Sequence, residues 1–391
     1  MNAPLSGIKI IDLTRVLAGP YATMLLYDMG AEVIKVEMPG KGDDARAFGP
    51  FKDDESLYFA SFNRGKKSIS LNLKTDEGKK ILKDLLAKAD VVVENFRPGT
   101  MEKLGLGYED LKEINPKLIY AATSGFGHTG PDSSLPAYDI LVQARGGIMS
   151  MTGWPDTPPT RVGCSFGDLA AGMFTAFGIV NALYQRTLTG KGQKVDVSML
   201  DCQAALLENA IVRYQVQGES PAPLGNRHPS LAPFQAFKAK DKYFVVAVGN
   251  DALWAKFCNT LNVPEKITDE RYLTNDLRTS HVKDMEQELS AVFAEKNADA
   301  WVEIIGSAGV PCALINDVAA LMQDEQIKAR NMLVDMEGIK LPGNPVKLSN
   351  MEEVKEFPRP PLVGGDNIEV LSSWLGYTQE NIDDLKQKGV L

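Results

Sequence analysis

Cysteine and histidine are scarce and scattered in this 391-residue chain. The four cysteines (Cys164, Cys202, Cys258, Cys312) form no CxxC pair, and the three histidines (His128, His228, His281) lie far apart. That spacing excludes a disulfide framework and supplies no zinc motif, so no metal site is expected. Positive charge is also in deficit: 42 Lys plus Arg against 51 Asp plus Glu leave a formal net charge of −9. Nucleic acid and anionic membrane surfaces are therefore poor partners, and any anionic ligand must meet a local cluster of cations. No apolar run approaches the ~20 residues of a membrane span. The opening MNAPLSGIKIIDL lacks the three regions of a signal peptide, and a cytoplasmic location is expected. Internal repeats and low-complexity tracts are missing as well.

What is present is ordinary for a soluble enzyme, with 44% apolar and 24% charged residues and length enough for two or three domains. Ile8 to Leu13 is a short apolar run, Pro20 to Met29 has helical spacing, and Glu32 to Glu37 alternates like a strand. This is a βαβ unit. A second round follows with Ser68 to Leu71, a helix from about Thr75 to Ala89, and the strand Val91 to Val93, and Leu118 to Ala122 adds another strand. Such alternation predicts a largely parallel sheet covered on both faces. A helix is predicted over Asp168 to Leu188, ending at Gly190, with a strand from Gln193 to Ser198 and a further helix from Met199. Prolines 221, 223, 229 and 233 then mark a change of character. The expected organisation is an α/β chain with a large Rossmann-like domain (1–200 and 330–391), a linker (201–224) and a small α+β domain (225–325).

Three chemistries fit parts of this pattern. Glu37 ends the second strand where a ribose-binding acid would sit, but the turn Thr14-Arg-Val-Leu-Ala-Gly-Pro20 is not G-x-G-x-x-G, which argues against a dinucleotide enzyme. Gly163-Cys-Ser165-Phe-Gly167 matches G-x-S-x-G, with His228 or His281 following; a serine hydrolase would need a strand directly before Ser165. Gly167-Asp168-Leu-Ala-Ala-Gly172 puts a carboxylate at a helix start. Taken alone that is a helix cap. The same position keeps a carboxylate charged and anchored, and such a group can be a covalent nucleophile in acyl transfer, with Gly167 admitting the substrate. Cations for a phosphate-rich ligand cluster in Asn63-Arg-Gly-Lys-Lys67 and in Glu94-Asn-Phe-Arg97 with Lys103.

Several segments in order resemble the class III CoA-transferase family: GIKIIDLTRVLAGP, GAEVIKVE, NRGKKSISLNL, VENFRPG, INPKLIYAATSGFGHTGP, AYDILVQARGG, GDLAAG and TGKGQKVDVSM. The resemblance covers almost the whole chain. It implies an interlocked homodimer that moves CoA from an acyl-CoA donor to a carboxylic acid, with acyl-CoA as substrate and no tightly bound cofactor. Asp168 matches the family's catalytic aspartate, which passes through a mixed anhydride and an aspartyl-CoA thioester, and Tyr138 matches an active-site tyrosine. CoA-binding positions carry over to Val16, Arg46, Asn72, Asn95, Phe96, Arg97 and Lys103, and substrate positions to Leu17, Gly249 and Asn250. Racemases of 2-methylacyl-CoA share the fold but hold a histidine where Tyr138 stands, and a phenol with an unperturbed pKa near ~10 is a poor base for α-proton exchange. Formyl-CoA:oxalate members carry glutamine at Leu17 and a glycine run at Val248 to Asp251. This departure disfavours oxalate, and the wording is closer to members using succinyl-CoA and a larger dicarboxylic or hydroxy acid.

Overall fold

Strands β1 (Lys9–Asp12), β2 (Glu32–Glu37), β3 (Lys67–Ser70), β4 (Val91–Glu94), β5 (Ile119–Ser124) and β6 (Gln193–Ser198) form one sheet in the computed structural model, which describes residues 3–391. All neighbouring pairs are parallel, in the order 3-2-1-4-5-6. That is the order of doubly wound nucleotide-binding sheets. Period-two geometry divides the strand residues between two cores. Ile11, Ile34, Ile69 and Val92 join one cluster with Leu82, Leu371 and Trp374, whereas Ile10, Val33, Val91 and Val93 join another with Ala22, Leu26 and Ile179.

Helices α1 (Ala18–Asp28), α2 (Asp76–Leu86), α3 (Asp139–Arg145), α4 (Phe166–Thr189) and α5 (Met199–Ala205) surround the sheet. Local chemistry sets their ends. Thr75 caps α2 by accepting from Gly78 N, with Asp76 and Glu77 in its first turn. Gly190 closes α4 at φ 70°, the left-handed position that glycine tolerates. The 24-residue α4 is long and apolar enough to cross a membrane by length and composition, contrary to the expectation from the sequence, but half of its most apolar window is buried inside the protein.

Two compact units result. Among the described residues the larger comprises 3–148, 161–216 and 325–391, and the smaller 149–160 and 217–324. In the larger, the helix Asn367–Leu375 returns to the early strands: Asn367 Oδ1 accepts from Ser70 N, and Asn72 N donates to Val390 O. The smaller holds an antiparallel sheet of Phe234–Lys238, Tyr243–Ala247 and Cys312–Leu314, packed on an aromatic core that includes Phe237, Phe244, Trp254, Phe257, Phe293 and Trp301.

Candidate active site

Strands β1 and β4 are neighbours at the point where strand order reverses, and in such sheets ligands bind beyond the carboxyl ends of the strands there. Residues 14–17 leave β1 at this point and residues 95–97 leave β4. Asn95 ties them together: its Oδ1 accepts from Arg15 N and its Nδ2 donates to Arg15 O, both at 2.8 Å. Arg15 in turn lies over the Phe96 ring, 5.6 Å from its centroid.

Beneath this bridge is a buried set of ions. Lys35 Nζ sits 2.8 Å from Asp43 Oδ2 and donates to Thr14 O at 2.7 Å, while Asp43 Oδ1 accepts from Val16 N at 3.0 Å. Val16 is held at φ 68°, which for a β-branched residue stores about 1–3 kcal/mol of strain. Asp12 accepts from Thr14, Thr23 and Lys66. Burial pushes its carboxyl up, but the Lys66 and Lys35 charges and the two threonines carry it well below the usual carboxylate range.

This arrangement corrects the reading of Asn63 to Lys67 as a phosphate patch. Lys66 is buried on Asp12 and Arg64 is buried on Asp28, so neither cation is free for a ligand, and Lys67 pairs with Glu32 and Glu369. Glu37 is likewise filled, accepting from Arg46, Ser68 and Asp43 N. No oxygen of it is left for a ribose.

A cleft of about 300 Å³ opens over the switch point, lined among others by Val16, Leu17, Asn95, Phe96, Arg97, Tyr138 and Asp168. A second cleft, of about 240 Å³, is lined by Asn72, Lys41, Lys74 and Leu104 and shares Arg15 and Phe96 with the first. The fold thus gathers eight of the expected site residues, from five separate segments. Arg46 and Lys103 line neither cleft: the Arg46 guanidinium is engaged by Glu37 and Pro361 O and stacks 3.8 Å from the Phe59 centroid. Gly249 and Asn250 form an exposed turn of the smaller unit, where Asn250 Oδ1 caps the helix Asp251–Thr260 through Leu253 N.

Helix α4 begins two residues earlier than expected, with Ser165 at its N-cap, so Asp168 lies in the first turn and is not the cap. Burial pushes its carboxyl up to about 7, and the nearby Asp139 charge pushes the same way. The first-turn dipole opposes both. The expectation of a firmly charged aspartate is therefore corrected: near neutral pH it is poised between its two forms. Gly167 also has a different task from the one inferred. A Cβ there would lie 2.7 Å from Val142 Cγ2 and 3.1 Å from Asp139 Oδ1, so glycine lets α3 and α4 pack closely and lets Gly167 N donate to Asp139. No strand precedes Ser165, which removes the support a hydrolase elbow requires.

Asp139, Arg15 and Tyr58 are functional candidates that sequence reasoning missed. Asp139 Oδ1 holds Gly167 N and its Oδ2 holds Gln143, which fixes the start of α4. Burial raises the Tyr58 hydroxyl to about 12, with the charges of Asp168, Asp43 and Asp139 adding to it. Arg15 had a visible signal, a cation at the end of the first strand; the other two depend on contacts made only in the fold.

A switch-point cleft with cations at its rim and a carboxylate within it is the kind of concave, polar-lined site in which an enzyme binds an anionic substrate. The family model for "CoA-transferase family III" matches residues 5–367. The acetyl-CoA:oxalate CoA-transferase of Acetobacter aceti is 48% identical over 92% of this chain and 93% of its own length. The succinyl-CoA:glutarate CoA-transferase of Mus musculus is 42% identical over 99% and 90%. The crystal structure of a CAIB/BAIF family protein from Brucella suis superposes with a TM-score of 0.86 at 38% identity, covering 96% of this chain and all of that one. The chain belongs to CoA-transferase family III and is a class III CoA-transferase.

Proposed function

We propose that the enzyme moves CoA from succinyl-CoA or a similar acyl-CoA to a dicarboxylic acid through Asp168. An Asp168 oxygen attacks the donor thioester carbonyl, the C–S bond breaks, and a mixed anhydride and a CoA thiolate result. The thiolate then attacks the Asp168 carbonyl and releases the donor acid, leaving an aspartyl-CoA thioester. The acceptor carboxylate attacks that carbonyl and frees CoA again, and thiolate attack on the acceptor's acyl carbon restores the Asp168 carboxylate. No net proton moves.

One observation carries this reading: Asp168 sits inside the cleft with no cation or hydrogen bond lowering its pKa, beside residues 16, 17 and 95–97. An aspartate so placed is a better nucleophile than a solvated or ion-paired one, because less hydration or pairing must be lost in attack. The nucleotide end of CoA is assigned to the second cleft near Asn72, Lys41 and Lys74, and the pantetheine arm passes Arg15 and Phe96. Val16, Leu17 and Tyr138 are assigned to the reacting end, Arg97 to phosphate contact, and Gly249 and Asn250 to a substrate loop. Acyl-CoA is substrate, not resident cofactor.

The larger unit is read as the CoA-binding domain of an interlocked homodimer acting in the cytoplasm. Met173, Phe177, Val180, Tyr184 and Leu188 form an exposed apolar stripe along α4 at helical spacing, a face suited to a second copy of the chain. The acceptor is open between acids of different length, because the relative named for oxalate is 48% identical and the mouse relative named for glutarate 42%, despite Leu17. Incubation with succinyl-CoA followed by hydroxylamine should modify Asp168, and labelled glutarate and oxalate should then be compared as acceptors. A label at Ser165, or full exchange activity in Asp168→Ala, defeats the mechanism.

A further inference from the structure

Glu94 ends β4 and is buried directly below the segment that enters the cleft. Its Oε2 accepts from Phe96 N at 2.8 Å, and its Oε1 accepts from the Tyr120 hydroxyl at 3.2 Å. His128 Nε2 lies 3.6 Å from the same Oε1, buried and with no hydrogen-bond partner among the described residues. On the other side of the ring, Nδ1 is 2.9 Å from Lys194 Nζ. An ammonium can only donate, so Nδ1 accepts and the imidazole proton resides on Nε2, facing Glu94. Two donors, Tyr120 from β5 and the backbone of residue 96, thus bond one carboxylate, and a third N–H from the loop after β5 faces it at 3.6 Å.

We propose that Glu94 is a positioning residue for acyl-CoA binding: as a carboxylate bonded to Tyr120 and faced by His128, it fixes the Phe96 N–H and thereby the Asn95–Arg97 segment. Fixing residue 96 places the ring that Arg15 covers, and also places Asn95, which holds the backbone of residue 15. The acid form serves this role poorly, because its O–H would meet a wall of donors. The proposal rests on the reading of residues 95–97 as CoA contacts.

Burial raises the Glu94 carboxyl to about 7; Phe96 N–H, Tyr120 and Lys194 lower it and Glu102 raises it. His128 is pushed down by burial and by Lys194, against Asp196 and Glu102, which favours its neutral form. Glu94 therefore ionises as pH rises through about 7, and the segment becomes held on the alkaline side. CoA phosphate titrates nearby, so the informative quantity is the difference between native enzyme and variant at each pH.

The experiment measures KM for succinyl-CoA and kcat from about pH 6 to pH 8. Glu94→Gln keeps the shape but not the charge; it should raise KM about tenfold at the alkaline end with kcat within about twofold, and the variant-to-native ratio of KM should shrink toward acid. Lys194→Met removes a charge that favours ionised Glu94 and should move the midpoint of the KM profile to higher pH. Should Glu94→Gln fail to fold by circular dichroism, the Lys194→Met midpoint decides alone. A native KM in Glu94→Gln, a KM ratio that does not vary with pH, or an unmoved midpoint in Lys194→Met overturns the proposal. Arg97→Met separates the two levels: if it leaves KM unchanged, the CoA reading of the segment fails, and if it raises KM while Glu94→Gln does not, only the positioning role fails.

Discussion

At the scale of single residues, the chemistry turns on how Asp168 is made uncomfortable as an anion. Its pKa is raised to about 7 from an ordinary 3.8, so the folded state holds the proton more tightly than the unfolded chain does. The native state is therefore disfavoured progressively as pH rises from about 4 through 7, and the deficit is full above that. Replacement by Asn removes the charge: urea unfolding at about pH 8 should show Asp168→Asn more stable than the native enzyme by about 0.5–2 kcal/mol, with the gain vanishing toward pH 4. The same variant should lose transferase activity on the order of 10³-fold or more. Asp139→Asn should shift the acid limb of the kcat profile to lower pH, since the Asp139 charge is what adds to burial in raising Asp168. An unmoved limb in a steady-state pH series would show that the two carboxylates do not interact.

At the scale of elements, close packing and buried ions hold the site in place. Gly167→Ala would set a methyl 2.7 Å from Val142 Cγ2, and α3 and α4 must part to accept it. A loss of about 1–3 kcal/mol in denaturant unfolding is expected, and displacement of the α4 start should lower kcat about 10²-fold. Asp43→Ala strips the partner from buried Lys35 and frees the strained Val16, so it should destabilise the fold by about 3–5 kcal/mol in the same assay. The strands were legible because the unbroken apolar run Val91 to Val93 is a direct imprint of burial on two faces, while Glu32 to Glu37 and Gln193 to Ser198 alternate as strands do. Phe234–Lys238 was not, because it lies against the proline-rich passage that reads as a linker. Arg64 and Lys66 were misread for a related reason: a basic run looks the same in sequence whether its charges meet solvent or buried Asp28 and Asp12. Asp139 was invisible because its importance lies in a bond to residue 167 that no local pattern encodes.

At the scale of the whole molecule, the exposed stripe on α4 and the return of the last helices set the terms of assembly. Phe177 is 67% exposed in the single chain. For the proposed dimer, Phe177→Asp is expected to shift sedimentation toward monomer and lower the melting temperature; sedimentation unchanged from that of the native enzyme would defeat the assignment of this stripe as the subunit contact. The late return of residues 367–391 has a consequence for synthesis on the ribosome. Leu371, Trp374, Ile382, Leu385 and Val390 complete a core whose larger part, from Ile11 to Ala122, emerges much earlier. During translation that part must wait with its oily side uncovered for more than two hundred residues, while the smaller unit, nearly all of whose core lies between 232 and 310, can finish first. That order predicts that nascent chains of this enzyme engage holdase chaperones until residues 367–391 have emerged.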